Sequence, residues 1–148
     1  MAHALNLTLK LKQDPETKAT LATLKEIFAA KVQPAIEKAL RESQIVHFAR
    51  VLVIDDQYIQ VITEYDGDKQ AYTEFFREKL PEVFKLVFGM AEGAPPWDQM
   101  SKDKFYQFSR NRNIKALGVN DDPNEKDEGY LFSAYGNNAV AEILPKLQ

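Results

Sequence analysis

Two runs rich in β-branched and aromatic residues, at positions 45–54 and 58–65, lie only three residues apart and constrain the fold more than any other feature. A connection this short joins antiparallel strands, so the pattern predicts a β-hairpin. Placing Val53 opposite Ile59 sets β-branched side chains against each other on one face. A slip of one residue would break these pairs and mix the side chains of the two sheet faces. The same register pairs Val51 with Val61, Ala49 with Thr63, His47 with Tyr65, Leu52 with Gln60, Arg50 with Ile62 and Phe48 with Glu64.

The segments around the hairpin predict the other elements of an α+β chain. Residues 4–12 alternate leucines with polar side chains, which is the period of a half-buried strand. Apolar residues at three- and four-residue spacing predict two helices, over 14–41 and 68–87, which Pro34 and Pro81 respectively kink or break. The remaining predictions are a loop at 89–100, a short helix after Ser101, a solvated acidic loop at 120–128, a fourth strand at 130–135 and a closing helix at 138–147.

The order of these elements predicts a single ferredoxin-like domain over residues 1–148. The predicted fold class is α+β, with a βαββαβ core, an antiparallel four-stranded sheet, helices on one face, an extra short helix and a C-terminal helix. A chain of 148 residues is long enough to bury a sizeable core.

Composition excludes several classes of function. The formal net charge is −3 and no basic stripe is present, so a nucleic-acid partner is not expected. The absence of cysteine excludes disulfides, thiol nucleophiles and cysteine-based zinc sites, and fits a reducing compartment. No leader pattern and no apolar run of about 18 residues is visible, so we expect a cytoplasmic protein without a membrane partner.

One face of the predicted sheet has an unusual mixture of side chains. Phe48, Leu52 and Ile62 would form an apolar patch if water covered this face. Arg50 and Glu64 would need each other if the face were dry. The mixture suits a cavity or an interface, and a second copy packed sheet to sheet would form a homodimeric α/β barrel. The alternative is an ordinary exposed sheet face with cross-strand pairs.

Short motifs resemble a family of uncharacterised ferredoxin-like proteins within the dimeric α/β-barrel group. They are HFAR at 47–50, YDGD at 65–68, EGAP at 92–95 and an aromatic last strand at 130–135. The resemblance extends over residues 5–144. The group includes haem-dependent peroxidases, chlorite-converting enzymes, small monooxygenases and decarboxylases, and some relatives are associated with peroxidase-type proteins. The resemblance therefore implies a fold and a dimer but no particular reaction.

The candidate ligand-binding residues come mainly from the open sheet face. Arg50 and Glu64 could hold a carboxylate-bearing ligand, or they could be a structural pair that orders the sheet or the dimer. His47 could act as an acid or base or as a haem ligand, or it could be a core histidine bonded to Tyr65 or Asp66. The predicted set is His47, Phe48, Arg50, Gln60, Ile62, Glu64 and Trp97.

Trp97 and the acidic loop offer further interpretations. Trp97 lies in a Gly–Pro loop, where it could be a lid over a pocket or could close the end of the core. His3 is expected in a frayed terminus, which leaves too few ligands for zinc. A calcium loop is rejected because Asp127 stands where glycine is required and Lys126 replaces an oxygen ligand. We therefore predict no metal, and no cofactor apart from the haem alternative.

The sequence contains no phosphate-binding loop, nucleophile elbow or dinucleotide fingerprint, so it leaves open whether the protein is an enzyme. The leading hypothesis is a homodimer that binds a small organic molecule on the open face. Arg50, Gln60 and Glu64 would supply its polar groups, and Phe48 and Ile62 its apolar walls. The alternatives are a non-catalytic interaction module that docks an oxidative, peroxidase-type enzyme, or haem binding through the histidine of the HFAR motif.

Overall fold

The computed structural model, which describes residues 2–120, 122–123 and 128–147, is an α+β structure built on three antiparallel strands. The strand order is β1-β3-β2, so the second strand of the hairpin is central. None of the helices in these residues has the length and hydropathy needed to cross a membrane. The strands are β1 (Ala2–Lys10), β2 (Val46–Ile54) and β3 (Tyr58–Asp66).

The predicted hairpin register is confirmed between Phe48 and Ile54. It fails at the first residues of β2, where Val46 lies opposite Tyr65 and a β-bulge follows. The prediction that His47 lies opposite Tyr65 is therefore wrong. The physical reason is the bulge, because the extra residue of a bulge has no place in the ladder and bends its strand.

Both predicted proline interruptions are confirmed. Before Pro34 the chain forms a π-helical turn, in which the Gln33 N–H bonds the Phe28 carbonyl. Proline has no N–H and its ring crowds the carbonyl four residues earlier, and the wider turn accommodates this. Leu80 leaves the helical region, and Pro81 then begins a new helix. The helices are α1 (Pro15–Ile27), α2 (Gln33–Ser43), α3 (Lys69–Lys79), α4 (Pro81–Gly89), α5 (Lys102–Asn111) and α6 (Val140–Ile143), with the π-turn at Phe28–Val32 and short 3-10 turns at Trp97–Gln99 and Leu144–Leu147.

Helices α1 to α4 cover one face of the sheet. The leucines of β1 that alternate onto this face are buried, and Ile59 of β3 is buried beside them. Tyr65 of β3 stacks on Tyr72 of α3 with ring centroids 3.9 Å apart. This layer is the hydrophobic core, and the opposite sheet face receives none of these helices.

The expected fourth strand at 130–135 is wrong, because these residues form no strand. The free edge of β1 is already occupied by other backbone segments. The Thr8 N–H donates to the Arg112 carbonyl, and the Glu92 N–H donates to the Lys10 carbonyl. An edge whose hydrogen-bonding groups are satisfied cannot accept another strand.

Two further expectations about chain ends and loops are corrected. His3 is not frayed but lies in β1, where its Nδ1 is 3.2 Å from a carboxylate oxygen of Glu128. Glu128 was expected in a solvated loop, yet only 3 % of it is exposed, and Lys69 lies 3.6 Å from its other oxygen. The rest of that predicted loop lies largely outside the described residues, including Asp121 and positions 124–127.

Candidate functional site

The open sheet face carries five of the seven predicted ligand-binding residues. Phe48 lies opposite Glu64, and Arg50 lies opposite Ile62. Gln60 donates a hydrogen bond of 3.0 Å to a threonine hydroxyl of β1, which orients its amide. Phe48 is 65 % exposed, although phenylalanine side chains are usually buried in folded proteins. This face therefore keeps the mixed character that the sequence indicated.

A cavity of about 190 Å³ lies at the end of this face where β2 begins and β3 ends. His47, Phe48 and Glu64 line it on the sheet side. Side chains from residues 131–138 line it on the other side, so a distant part of the chain completes the wall. We call this cavity the His47 pocket.

His47 has a defined orientation in this pocket. The β-bulge removes it from the strand ladder, and its Nε2 lies 2.9 Å from a carboxylate oxygen of Asp66. The other oxygen of Asp66 accepts the backbone N–H of Val140 at 2.8 Å. Because a carboxylate only accepts hydrogen bonds, Nε2 carries the proton and Nδ1 of the neutral ring is left as an acceptor. The sequence-based alternative of a bond to Asp66 is thus confirmed.

Glu64 has a perturbed protonation equilibrium. Burial raises the pKa of its carboxyl above the ordinary value, while the charge of Arg50, and that of His47 when its ring is protonated, act in the opposite direction. Desolvation disfavours the ionised form, so the protonated acid persists to higher pH than in water. A perturbed carboxyl beside an oriented imidazole is the kind of arrangement found in functional sites.

The two side chains can perform complementary proton transfers. Nδ1 of His47 can accept a proton or a hydrogen bond, and the protonated form of Glu64 can donate one. A ligand with one donor and one acceptor would satisfy both. Phe48 offers an apolar surface next to them.

Trp97 is not brought to this pocket. It lies in a 3-10 turn, 6.0 Å from the ring of Phe105 and 5.3 Å from the guanidinium of Arg77. These contacts place it against the helix layer. Across the part of the chain that the structure describes, no group of three or more His, Asp or Glu side chains is arranged to hold a metal ion.

Reasoning from the sequence missed the far wall of the pocket. Phe132 and Tyr135 belong to a segment that was interpreted as a strand, and they are 86 % and 59 % exposed. The signal that could have corrected this is the run Gly136, Asn137 and Asn138, because glycine and asparagine favour turns. A turn there shortens any preceding strand.

Comparison with known proteins leaves the chain without an assigned family. No protein-family model matches it, and neither a curated protein nor a solved structure does. The resemblance inferred from the motifs at 47–50 and 65–68 therefore stays a prediction.

Proposed function

We propose that this chain binds a small organic molecule in the His47 pocket. The observation that carries the proposal is the shared cavity, which His47, Phe48 and Glu64 line together with residues 131–138. Its volume of about 190 Å³ is below the roughly 300–1,000 Å³ of sites for drug-sized ligands. The expected ligand is correspondingly smaller.

The chemistry of the walls limits the class of ligand. Nδ1 of His47 calls for a donor such as a hydroxyl, and protonated Glu64 calls for a carbonyl or carboxylate oxygen. Arg50 is near enough to influence the pKa of Glu64, so its charge also favours an anionic ligand. A small hydroxy or enolic acid with an apolar portion against Phe48 fits these three requirements.

We also infer a ferredoxin-like arrangement in which a second copy covers the open face, as in a dimeric α/β barrel. The strand order β1-β3-β2 supports this, as does the backbone at 112–114 that bonds β1 where a fourth strand would lie. The exposed rings of Phe48 and Phe132 at the pocket support it as well, because adjoining exposed aromatic side chains mark interaction surfaces.

The test is ligand-observed and protein-observed NMR with a set of small hydroxy and keto acids. A binding acid should shift the imidazole C–H signals of His47 and leave those of His3 unchanged, which makes the second histidine an internal control. The variant His47→Gln assigns the signals. Absence of any His47-specific shift across the set would contradict the proposal.

Native mass spectrometry of protein purified without added ligand provides a second readout. We expect a dimer that carries extra mass, and loss of that mass in Arg50→Ala or Glu64→Ala, which removes the donor of the protonated acid. Lys10→Ala is the matched control, because Lys10 is exposed at the other end of the same face. If Arg50→Ala changes neither ligand retention nor oligomeric state, the open-face site is disproved.

A second candidate function is an interaction module that docks another protein, such as an oxidative enzyme of the peroxidase type. The exposed aromatic side chains of the open face favour it. A Leu52→Ser variant distinguishes the two, because Leu52 lies on the open face but does not line the His47 pocket: loss of partner binding with ligand binding retained would support the module. The third candidate is haem binding through His47, for which Nδ1 is the ring nitrogen that does not bond Asp66. A Soret band shifted from that of free haemin would support this candidate, and an unshifted band would end it.

A further inference from the structure

A second cavity lies on the opposite side of the sheet, between β2, β3 and the helices. This core cavity has a volume of about 60 Å³, and its walls are apolar except for the hydroxyls of Thr63 and Tyr72. An open recess of about 230 Å³ adjoins it, which we call the outer recess. The side chains common to the two are Leu24, Phe28, Val51 and Ile59.

The two hydroxyls of the core cavity leave one donor unused. Thr63 Oγ1 and the Tyr72 hydroxyl are 2.6 Å apart, and these residues are 5 % and 6 % exposed. Two hydroxyls carry two protons, and the bond between them uses one. Neither makes another hydrogen bond within the described ranges, so one buried O–H has no acceptor. Buried donors are rarely left in this condition.

The protonation of Tyr72 keeps that donor in place. Burial raises the pKa of Tyr72 well above its ordinary value of 10.0, so its hydroxyl retains its proton at physiological pH. A water molecule would have only these two hydroxyls as partners, the minimum of the two to four that a buried water needs, and a ligand oxygen that accepts the same proton would displace it.

We infer that the core cavity binds an uncharged apolar molecule with one hydrogen-bond acceptor, in the class of aliphatic ketones, aldehydes and esters. Its oxygen accepts the free proton of the Thr63–Tyr72 pair. Its chain runs along β3 toward Ile59, four residues or about 13 Å away, and continues into the outer recess.

Access lies at the outer edge of the sheet. β2 is an edge strand, and its Val51 and Val53 are only half-buried where they face the outer recess. Phe28 lies across the same opening at the first residue of the π-helical turn. Single turns of π-helix occur frequently at functional sites, because they widen the backbone locally.

The first experiment compares 2-octanone with n-octane on the unmodified protein, followed by methyl NMR. The ketone should shift the methyl signals of Val51 and Val61. Once the two affinities are corrected for the greater cost of removing the ketone from water, it should bind about threefold to tenfold more tightly than the alkane, the gain from one hydrogen bond. Equal affinities after this correction, no binding of either compound, or shifts confined to the open face would each overturn the inference.

The second experiment removes the donor without changing the volume. The double variant Thr63→Val/Tyr72→Phe should bind octane as before and lose the preference for the ketone. Thr73→Val is the matched control, because the Thr73 hydroxyl bonds the Lys69 carbonyl and does not line the cavity. A preserved preference in a folded double variant disproves the inference. If the double variant does not fold, the comparison on the unmodified protein decides alone.

Discussion

The imidazole of His47 and the carboxylate of Asp66 form a hydrogen bond of 2.9 Å that joins the start of β2 to the end of β3. The same carboxylate accepts the backbone N–H of Val140, so it also holds the C-terminal segment. One side chain therefore orients the histidine of the pocket and anchors the chain that follows the pocket's far wall. Asp66 therefore contributes both to the stability of the fold and to the geometry of the pocket.

Replacing Asp66 should destabilise the protein, because two hydrogen-bond donors would lose their acceptor. Asp66→Ala removes the acceptor of His47 Nε2 and of the Val140 N–H, and we expect the free energy of unfolding to fall by about 1–3 kcal/mol. Asp66→Asn keeps one acceptor oxygen and should lose less. Urea unfolding measures both. Asp98→Ala, at an exposed position, should change the free energy of unfolding by no more than about 0.5 kcal/mol. A loss of stability in Asp66→Ala no larger than that would refute the anchoring role of Asp66.

Glu64 should make stability depend on pH in a particular direction. Burial raises its folded pKa above the ordinary value of 4.5, so the folded state favours the protonated acid. Well below pH 4.5 the acid is neutral in both states and carries no penalty. As pH rises through the folded pKa, the partly buried charge forms and stability is lost.

Glu64→Gln tests this direction, because glutamine resembles the protonated acid at every pH. The variant should match the unmodified protein below pH 4.5 and exceed it at pH 7, by less than about 1 kcal/mol because solvent reaches the group. Thermal unfolding across this pH range gives the comparison. A variant less stable at pH 7 would indicate a favourable ion pair instead.

The Thr63–Tyr72 pair should be strongly coupled in a double-mutant cycle. Thr63→Val and Tyr72→Phe should each cost about 1–2 kcal/mol, because each leaves the other buried hydroxyl without its partner. The double variant has neither hydroxyl, so its loss in free energy of unfolding should be smaller than the sum of the two single losses by about 1 kcal/mol. Strict additivity in denaturant unfolding would show that the bond contributes nothing.

Helix α3 should depend on its N-cap. The Asp68 carboxylate accepts the Ala71 N–H at 2.9 Å, and Asp68→Ala should cost about 1 kcal/mol. Asp68→Ser supplies another capping oxygen and should restore most of the loss. If alanine and serine are equally stable in thermal unfolding, the cap is not what begins this helix.

Local patterns in the sequence determined much of this architecture. The hairpin register between Phe48 and Ile54 was predictable, because β-branched residues at alternate positions pair well in only one alignment. The interruptions at Pro34 and Pro81 were predictable, because proline lacks an N–H. The mixed open face followed from the same alternation.

Only the tertiary structure decided which distant segments meet. His3 and Glu128 are 125 positions apart in the chain, and no local pattern pairs them. The backbone at 112–114 occupies the edge of β1, which left residues 130–135 to form the far wall of the His47 pocket instead of a strand. A register or a cap depends on neighbours within a few residues, whereas competition for a sheet edge depends on the packing of the whole chain.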